Sequence, residues 1–215
     1  MSMRKLFITS IFCCLICFSS CNNNPKAISK ESPKTQKFIR DIPKYKNGVL
    51  LNFYFKEDIH KANLKNIENG FDSICIRLWY MYAFGPWQIV EIKKNSKEWT
   101  GEFILLTEAL NKNDSSWAIQ KSNSFKMPRS GWDEFMNELF SKGVTTLPTD
   151  FLITGYQFNT DGDVFAVEVA TKNYYRIYNY GSLKFNLNLR EARTMADIIL
   201  LIEKEFGVER LHKEF

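Results

Sequence analysis

His60 and His212 are the only histidines in a chain of 215 residues, and general acid–base catalysis near neutral pH most often uses one. They lie far apart, and His212 falls in the terminal segment ERLHKEF. No H-E-x-x-H, no G-x-S-x-G and no phosphate-cradling glycine loop occurs. After Cys21 the only cysteine is Cys75, so no cysteine pair offers a zinc site there. Carboxylate pairs such as Glu57 with Asp58 and Asp133 with Glu134 are common on solvated helix starts and loops, and they nominate no acid and base. An enzyme would have to be assembled from residues distant in sequence. Its mark would be a deep pocket gathering His60 with two carboxylates.

Oxygen donors offer a second chemistry. In QFNTDGDVFAVE, Gln157 to Glu168, the donors Asn159, Asp161, Asp163 and Glu168 are spaced as if for one hard cation. The stretch resembles part of the calcium loop of EF-hands, with Asn159, Asp161, Gly162 and Glu168 at its third, fifth, sixth and twelfth places. Gln157 stands where that loop carries aspartate, and the flanks read as strands rather than helices. The alternative is an Asp-Gly hairpin turn with Glu168 inside a strand. No metal or other cofactor is expected.

Aromatic residues offer a third. Trp79, Tyr80 and Tyr82 in one strand and Tyr174, Tyr175 and Tyr178 in another could form an exposed strip that stacks on a glycan or anchors a protein partner. The competing reading packs alternate rings under helices and pairs the rest across strands.

The elements that would position these residues are strands in runs with few helices. VLLNFYF (49–55), FDSICIRLWYMYAF (71–84), WQIVEIKK (87–94), WTGEFILLTEAL (99–110), FLITGYQF (151–158), VFAVEVA (164–170) and NYYRIYNYG (173–181) read as strands. Residues 56–70 read as a polar, partly helical connection and 112–125 as a loop. In the second run Ile74, Ile76, Leu78 and Tyr80 share one face, and Cys75, Arg77 and Trp79 the other. Neither face is fully polar, which predicts cover on both sides. Cys75, between two isoleucines, reads as a small buried hydrophobe.

SGWDEFMNELFSKG predicts a helix near 130–142, with Ser130 as N-cap, Asp133 in a capping box and Gly143 past its end. Trp132, Phe135, Met136, Leu139 and Phe140 form its apolar face. NLREARTMADIILLIEKEFG predicts a second helix near 189–206, capped by Asn188 with Glu191 and ended by Gly207. Ala192, Met195, Ala196, Ile199, Ile202 and Phe206 make its buried stripe. The expected fold class is α+β, a mostly antiparallel sheet of about six to seven strands with these two main amphipathic helices.

The N-terminus speaks of location. Arg4 and Lys5 precede an apolar run from Leu6 to Phe18, and Ser19 and Ser20 then lead to Cys21. A charged start, a short apolar core and small residues before a cut describe a secretory signal peptide. The run is too short to span a bilayer, which takes about 20 apolar residues. FSSC, Phe18 to Cys21, resembles the lipobox of bacterial lipoproteins, with Phe18 where leucine is usual. The resemblance implies cleavage before Cys21 and acyl chains, palmitate included, on that residue. The alternative is an ordinary cleavable signal or an uncleaved anchor. By analogy with lipoproteins of double-membraned bacteria, Asn22 after the cysteine implies the outer membrane, and the absence of acidic residues in NNNPK implies its periplasmic face. Past this segment, the likeness to lipoproteins extends only to others without a described role.

Residues 21–46 read as a basic tether ahead of one domain over 47–215, with 1–20 as the signal. Lys26, Lys30, Lys34, Lys37, Arg40, Lys44 and Lys46 stand against Glu31 and Asp41, a net of +5. The whole chain is also +5 and Arg4 with Lys5 supply +2, so residues 47–215 carry −2. A folded part with that balance has no surplus charge for phosphates, which argues against nucleic acid as a partner. The tether suits an anionic bilayer, where each nearby Lys or Arg adds about 1 kcal/mol.

These features lead to an expectation of a lipid-anchored cell-envelope protein with a noncovalent binding or accessory role, its partner an envelope protein or glycan. Two alternatives are an immunity-type inhibitor that blocks a toxin in the periplasm and an envelope hydrolase.

Overall fold

The computed structural model describes residues 37–83, 85–110, 117–159, 162–211 and 215. Gln36–Phe215 forms one compact unit. Its centre is a seven-stranded sheet in the order β1-β7-β6-β2-β3-β4-β5, built from β1 (Ile39–Asp41), β2 (Ile74–Met81), β3 (Trp87–Lys94), β4 (Trp99–Leu110), β5 (Trp117–Lys126), β6 (Val164–Thr171) and β7 (Tyr174–Gly181). Every neighbouring pair is antiparallel except β1 with β7, which is parallel. Among the described residues three α-helices complete the unit: α1 (Phe53–Lys61), α2 (Trp132–Ser141) and α3 (Arg190–Phe206). The fold is therefore α+β with a mostly antiparallel, mixed sheet.

Both faces of the sheet are covered, as the two-sided pattern of β2 predicts. On one face Ile76, Leu78 and Tyr80 join Val90, Ile92, Phe165, Val167 and Tyr178 under α2 and α3. On the other, Cys75 and Trp79 join Ile89, Ala166, Ala170, Tyr175 and Ile177 under α1 and the residues on either side of it, through Leu51, Phe55, Ala62 and Ile67. Phe55 meets Trp79 edge to face at 5.7 Å. Burying a large apolar side chain contributes about 1.5–3 kcal/mol, so each layer is held by several such contacts.

The predicted stripe of α3 is buried in full, with Ile198 and Leu201 added, and Gly207 ends the helix in the left-handed conformation at φ 59°. Phe135, Met136 and Leu139 of α2 are buried, whereas Phe140 is 38% exposed. The predicted N-caps do not form. Gly131 precedes α2 and Leu189 precedes α3, neither with a side-chain cap bond. Ser130 turns away instead, and its Oγ and amide both donate to Glu205 Oε2 of α3, which joins the two helices at their ends.

Four expected segments differ. Residues 49–55 are not a strand: Leu50 makes one isolated bridge with Lys44, and α1 begins at Phe53 because Leu51 and Phe55 reach the second core from a turn and a helix. Residues 151–158 form no strand either; a 3-10 turn at Asp150–Leu152 opens an irregular segment held by side-chain bonds. Residues 117–125, within the expected loop of 112–125, belong to β5 (Trp117–Lys126), a polar strand at the open edge, where only one side pairs. Residues 39–41, expected as tether, are β1 on the opposite edge, so the folded unit starts ahead of residue 47. A third helix, α1, joins the two expected. Cys21, the signal segment and the tether through residue 36 lie outside the described residues, as do Asp161 and His212. Among the described residues no helix is long and apolar enough to cross a membrane.

Candidate functional site

β2, β3 and β6 each carry one charged residue within an apolar run, and the sheet places the three side by side. The register sets Arg77 opposite Glu91 on β3 and opposite Glu168 on β6. β4 extends the row with Glu102, opposite Glu91. Two positions from Cys75 and Trp79, Arg77 shares their face, so the row lies within the layer covered by α1.

Arg77 is 1% exposed. Its Nε donates to Glu91 Oε2 at 2.5 Å and its Nη2 to the Lys65 carbonyl at 2.6 Å. Its Nη1 lies 3.7 Å from Glu168 Oε2. Glu168, equally buried, accepts from the Tyr175 hydroxyl at 2.8 Å and from Trp79 Nε1 at 2.9 Å, one bond on each oxygen. Lys93 Nζ closes the far end, 2.6 Å from Glu91 Oε1 and 3.6 Å from Glu102 Oε2.

The electrostatics follow from this packing. Burial works against the Arg77 charge, but Glu168 and Glu91 outweigh it and hold the guanidinium above its ordinary pKa. Burial also works against ionised Glu91, and Arg77 with Lys93 prevail, so its pKa falls. Burial first, and the Glu168 carboxylate second, push the Tyr175 hydroxyl up, which keeps it a donor. The Cys75 thiol rises to about 12, mainly through burial; a thiol so placed is no nucleophile.

Above the Glu168 end of the row is a cleft of about 420 Å³. α1 contributes Lys56, Ile59 and His60 to its lining, and the loop after α1 contributes Asn63, Leu64, Asn66 and Glu68. The sheet supplies Glu168 and Tyr175, and Asn52 comes from the turn leading into α1. Lys56 and Glu68 pair at 3.5 Å, and Glu168 pairs with Arg77, so the charges of the lining are largely matched.

Asn52 is the unusual member. It occupies the position before α1, where asparagine commonly caps a helix with its side chain. Its carbonyl accepts from Phe55 N at 3.1 Å, yet among the described residues neither its side-chain oxygen nor its nitrogen has a hydrogen-bond partner, although the residue is only 3% exposed. A buried amide left unmatched costs about 1–3 kcal/mol. One side chain of the lining thus keeps both its amide NH2 donors and its carbonyl oxygen unspent.

The residues singled out from sequence fare unevenly. His60 does meet two carboxylates, Glu68 and Glu168, in one lining, although it stands on the exposed side of α1. Among the described residues no three His, Cys, Asp or Glu side chains are placed to hold a metal ion. Of the calcium-loop donors Asp161 lies outside the described residues, and the others have protein neighbours of their own. Asp163 accepts from the Ala83 amide, and Asn159 N donates to Ser182 Oγ. Glu168 sits five residues beyond Asp163 along a strand, about 16 Å at 3.3 Å per residue, and bonds to Trp79 and Tyr175. The turn joining β6 to β7 lies at Lys172 and Asn173.

The aromatic strip is corrected as well. Trp79, Tyr80, Tyr82, Tyr175 and Tyr178 are buried, at 3% exposure or less, and alternation divides them between the two faces. Tyr174 is half-buried, its hydroxyl donating to Asp41 Oδ2 at 3.3 Å. Tyr175 alone among the six lines the cleft. Sequence reasoning missed Asn52, which read as part of a strand, and Asn63, Asn66 and Glu68, which read only as polar connection. The legible signal was a charge flanked by apolar residues, Arg77 in ICIRLWYM, Glu91 in WQIVEIKK and Glu168 in VFAVEVAT, costly in a buried strand unless neighbours answer it.

Comparison with models of known protein families finds no match, and comparison with curated proteins finds none either.

Proposed function

We propose that the chain is a lipid-anchored cell-envelope protein whose domain binds a small, uncharged, hydrogen-bonding ligand in the cleft between α1 and the sheet. The observation that carries this reading is Asn52, a buried side chain with both polar atoms unmatched, lining the cleft beside Glu168. Ion pairs as deeply buried as Arg77 with Glu168 and Glu91 add little stability over apolar packing of the same volume. A site that must hold Glu168 and Tyr175 in fixed orientation gives the row a purpose. Matched charges in the lining favour a neutral ligand, and the spare donor and acceptor of Asn52 suit adjacent hydroxyls or an amide. A glycan or peptide fragment of the envelope has that chemistry.

The test has two arms. Neutral hexoses, N-acetylhexosamines and dipeptides are titrated into the chain by calorimetry, and any binder is titrated into Asn52→Leu. Binding that survives unchanged in that variant would sink the cleft reading. Labelled palmitate incorporated by the wild type and not by Cys21→Ser supports the anchor; equal incorporation overturns it.

One observation favours a second reading, an envelope hydrolase: His60, Glu68 and Glu168 share the lining. Turnover of any binder, lost in both His60→Ala and Glu68→Gln, would select it. Binding without turnover selects the first.

A further inference from the structure

A second feature stands apart from the cleft, where the chain passes from β1 toward α1. Lys44, Tyr45, Lys46 and Asn47 face Phe151, Leu152 and Phe158 across an open groove of about 590 Å³. Leu152 is 65% exposed and Phe158 63% exposed. Lys44 and Lys46 are exposed too, and no carboxylate belongs to the lining.

These apolar tips are held out by a rigid base. Asp150, buried at 2% exposure, accepts from Phe151 N at 2.7 Å and from Gly181 N at 2.8 Å, which fixes the 3-10 turn carrying Leu152. The Thr149 hydroxyl donates to Asn179 Oδ1 at 2.6 Å. Beyond the turn, the Tyr156 hydroxyl donates to the Gly181 carbonyl at 2.7 Å. Gln157 N donates to Asn186 Oδ1 at 2.7 Å, and Asn186 Nδ2 returns a bond to the Gln157 carbonyl at 2.9 Å. Phe158 leaves from this clamped position and meets the Tyr156 ring at 5.3 Å. On the facing side Tyr45 packs on Phe151 at 4.7 Å. Water would drive loosely held apolar tips inward; here both flanks of the segment are bonded to the end of β7.

Exposed apolar groups in one patch mark a protein or a membrane contact. Lysine is depleted at protein interfaces, whereas it adds affinity beside anionic lipid. We infer that the groove formed by Tyr45, Phe151, Leu152 and Phe158, rimmed by Lys44 and Lys46, docks the folded domain on an anionic bilayer surface. Leu152 and Phe158 enter the boundary between headgroups and acyl chains, as apolar faces of interfacial proteins do, while the lysines meet lipid phosphates. The patch thereby orients the domain on that surface.

The experiment uses the chain from Asn22 onward, which keeps the whole compact unit and omits Cys21. Sedimentation with equimolar phosphatidylcholine and phosphatidylglycerol vesicles is compared with pure phosphatidylcholine vesicles. Selective binding to the anionic vesicles, weakening as salt is raised, is expected. Leu152→Ser with Phe158→Ser lowers it about tenfold, and Lys44→Gln with Lys46→Gln lowers it by a similar factor. All four side chains are exposed, so thermal unfolding of both variants should match the wild type. Phe158→Trp gives a readout in folded protein, a blue shift of its emission on anionic vesicles only. Absence of binding, or binding untouched by the Leu152 and Phe158 changes, overturns the inference. So does a concentration-dependent dimer that those changes dissolve, since the groove would then be covered by a second copy.

Discussion

Arg77 and Glu168 face each other in register across β2 and β6, with Nη1 and Oε2 3.7 Å apart and both side chains 1% exposed. Glu91 flanks Arg77 on the other side. One guanidinium therefore answers two buried carboxylates, and the Lys65 carbonyl ties it to the loop that walls the cleft. The sheet, the charged row and the cleft lining are a single connected structure.

Removing the guanidinium should be severe. Arg77→Met leaves Glu91 and Glu168 buried with less compensation, a change expected to cost about 3–5 kcal/mol. Adding Glu168→Gln to Arg77→Met should restore part of the loss by neutralising one orphaned charge. Urea denaturation of the two single variants and the double variant measures it. Strictly additive losses would mean that the pair is not coupled.

Asn52 should behave in the opposite way. Asn52→Leu replaces an unmatched amide with an apolar group of similar size, and stability should hold or rise by about 1–2 kcal/mol. A side chain that costs stability where it stands is expected of a binding position. A loss above about 2 kcal/mol on chemical denaturation would show that the amide has a structural role.

Burial raises the Asp150 carboxyl from 3.8 to about 6, against the bonds from Gly181 and Phe151 that favour its charge. The folded state then holds this proton more tightly than the unfolded chain. The stabilising contribution is complete below the unfolded value and is lost as pH rises through the folded one. Between pH 7 and 4, wild type should gain on the order of 2 kcal/mol relative to Asp150→Asn, whatever their absolute difference. Denaturation of both proteins across that range gives the value, and parallel curves would refute it.

Gly101 tests the packing at the end of β4. A Cβ there would lie 2.7 Å from the Lys126 carbonyl oxygen and from the Phe206 ring, and 3.1 Å from Trp132. The carbonyl belongs to the paired β5 backbone, and Trp132 stacks on Trp99 at 6.1 Å. Gly101→Ala should therefore cost about 1–3 kcal/mol, with a lowered Tm by calorimetry. An unchanged Tm would show that β5 can give way at this edge.

Much of the fold is legible where one force dominates. The face assignment of β2 and the buried stripe of α3 follow from hydrophobic periodicity, and both agree with the structure. Residues 49–55 mislead because aromatic and aliphatic neighbours suit a strand, whereas Leu51 and Phe55 serve the same core from a turn and a helix. β5 is hidden for the converse reason: an edge strand can remain polar, and its pairing with β4 leaves no apolar alternation to read. Residues 151–158 keep their irregular path through bonds from Asp150, Tyr156 and Asn186, and such long-range side-chain bonds leave no periodic trace. The same holds for the site. Glu168 stands out in VFAVEVAT, but its partners Arg77, Trp79 and Tyr175 come from other strands, and Asn52 becomes unusual only once its burial is known.

The most direct measurement of the central claim is two-dimensional NMR of the side-chain amides of Asn52, Asn63 and Asn66, titrated with the neutral hexoses, N-acetylhexosamines and dipeptides. At least one should shift the Asn52 amide together with Asn63 or Asn66 and saturate, and the effect on the two loop asparagines should vanish in Asn52→Leu. A panel that leaves these three amides unmoved, or that shifts residues elsewhere while they stay still, would contradict the assignment of the cleft.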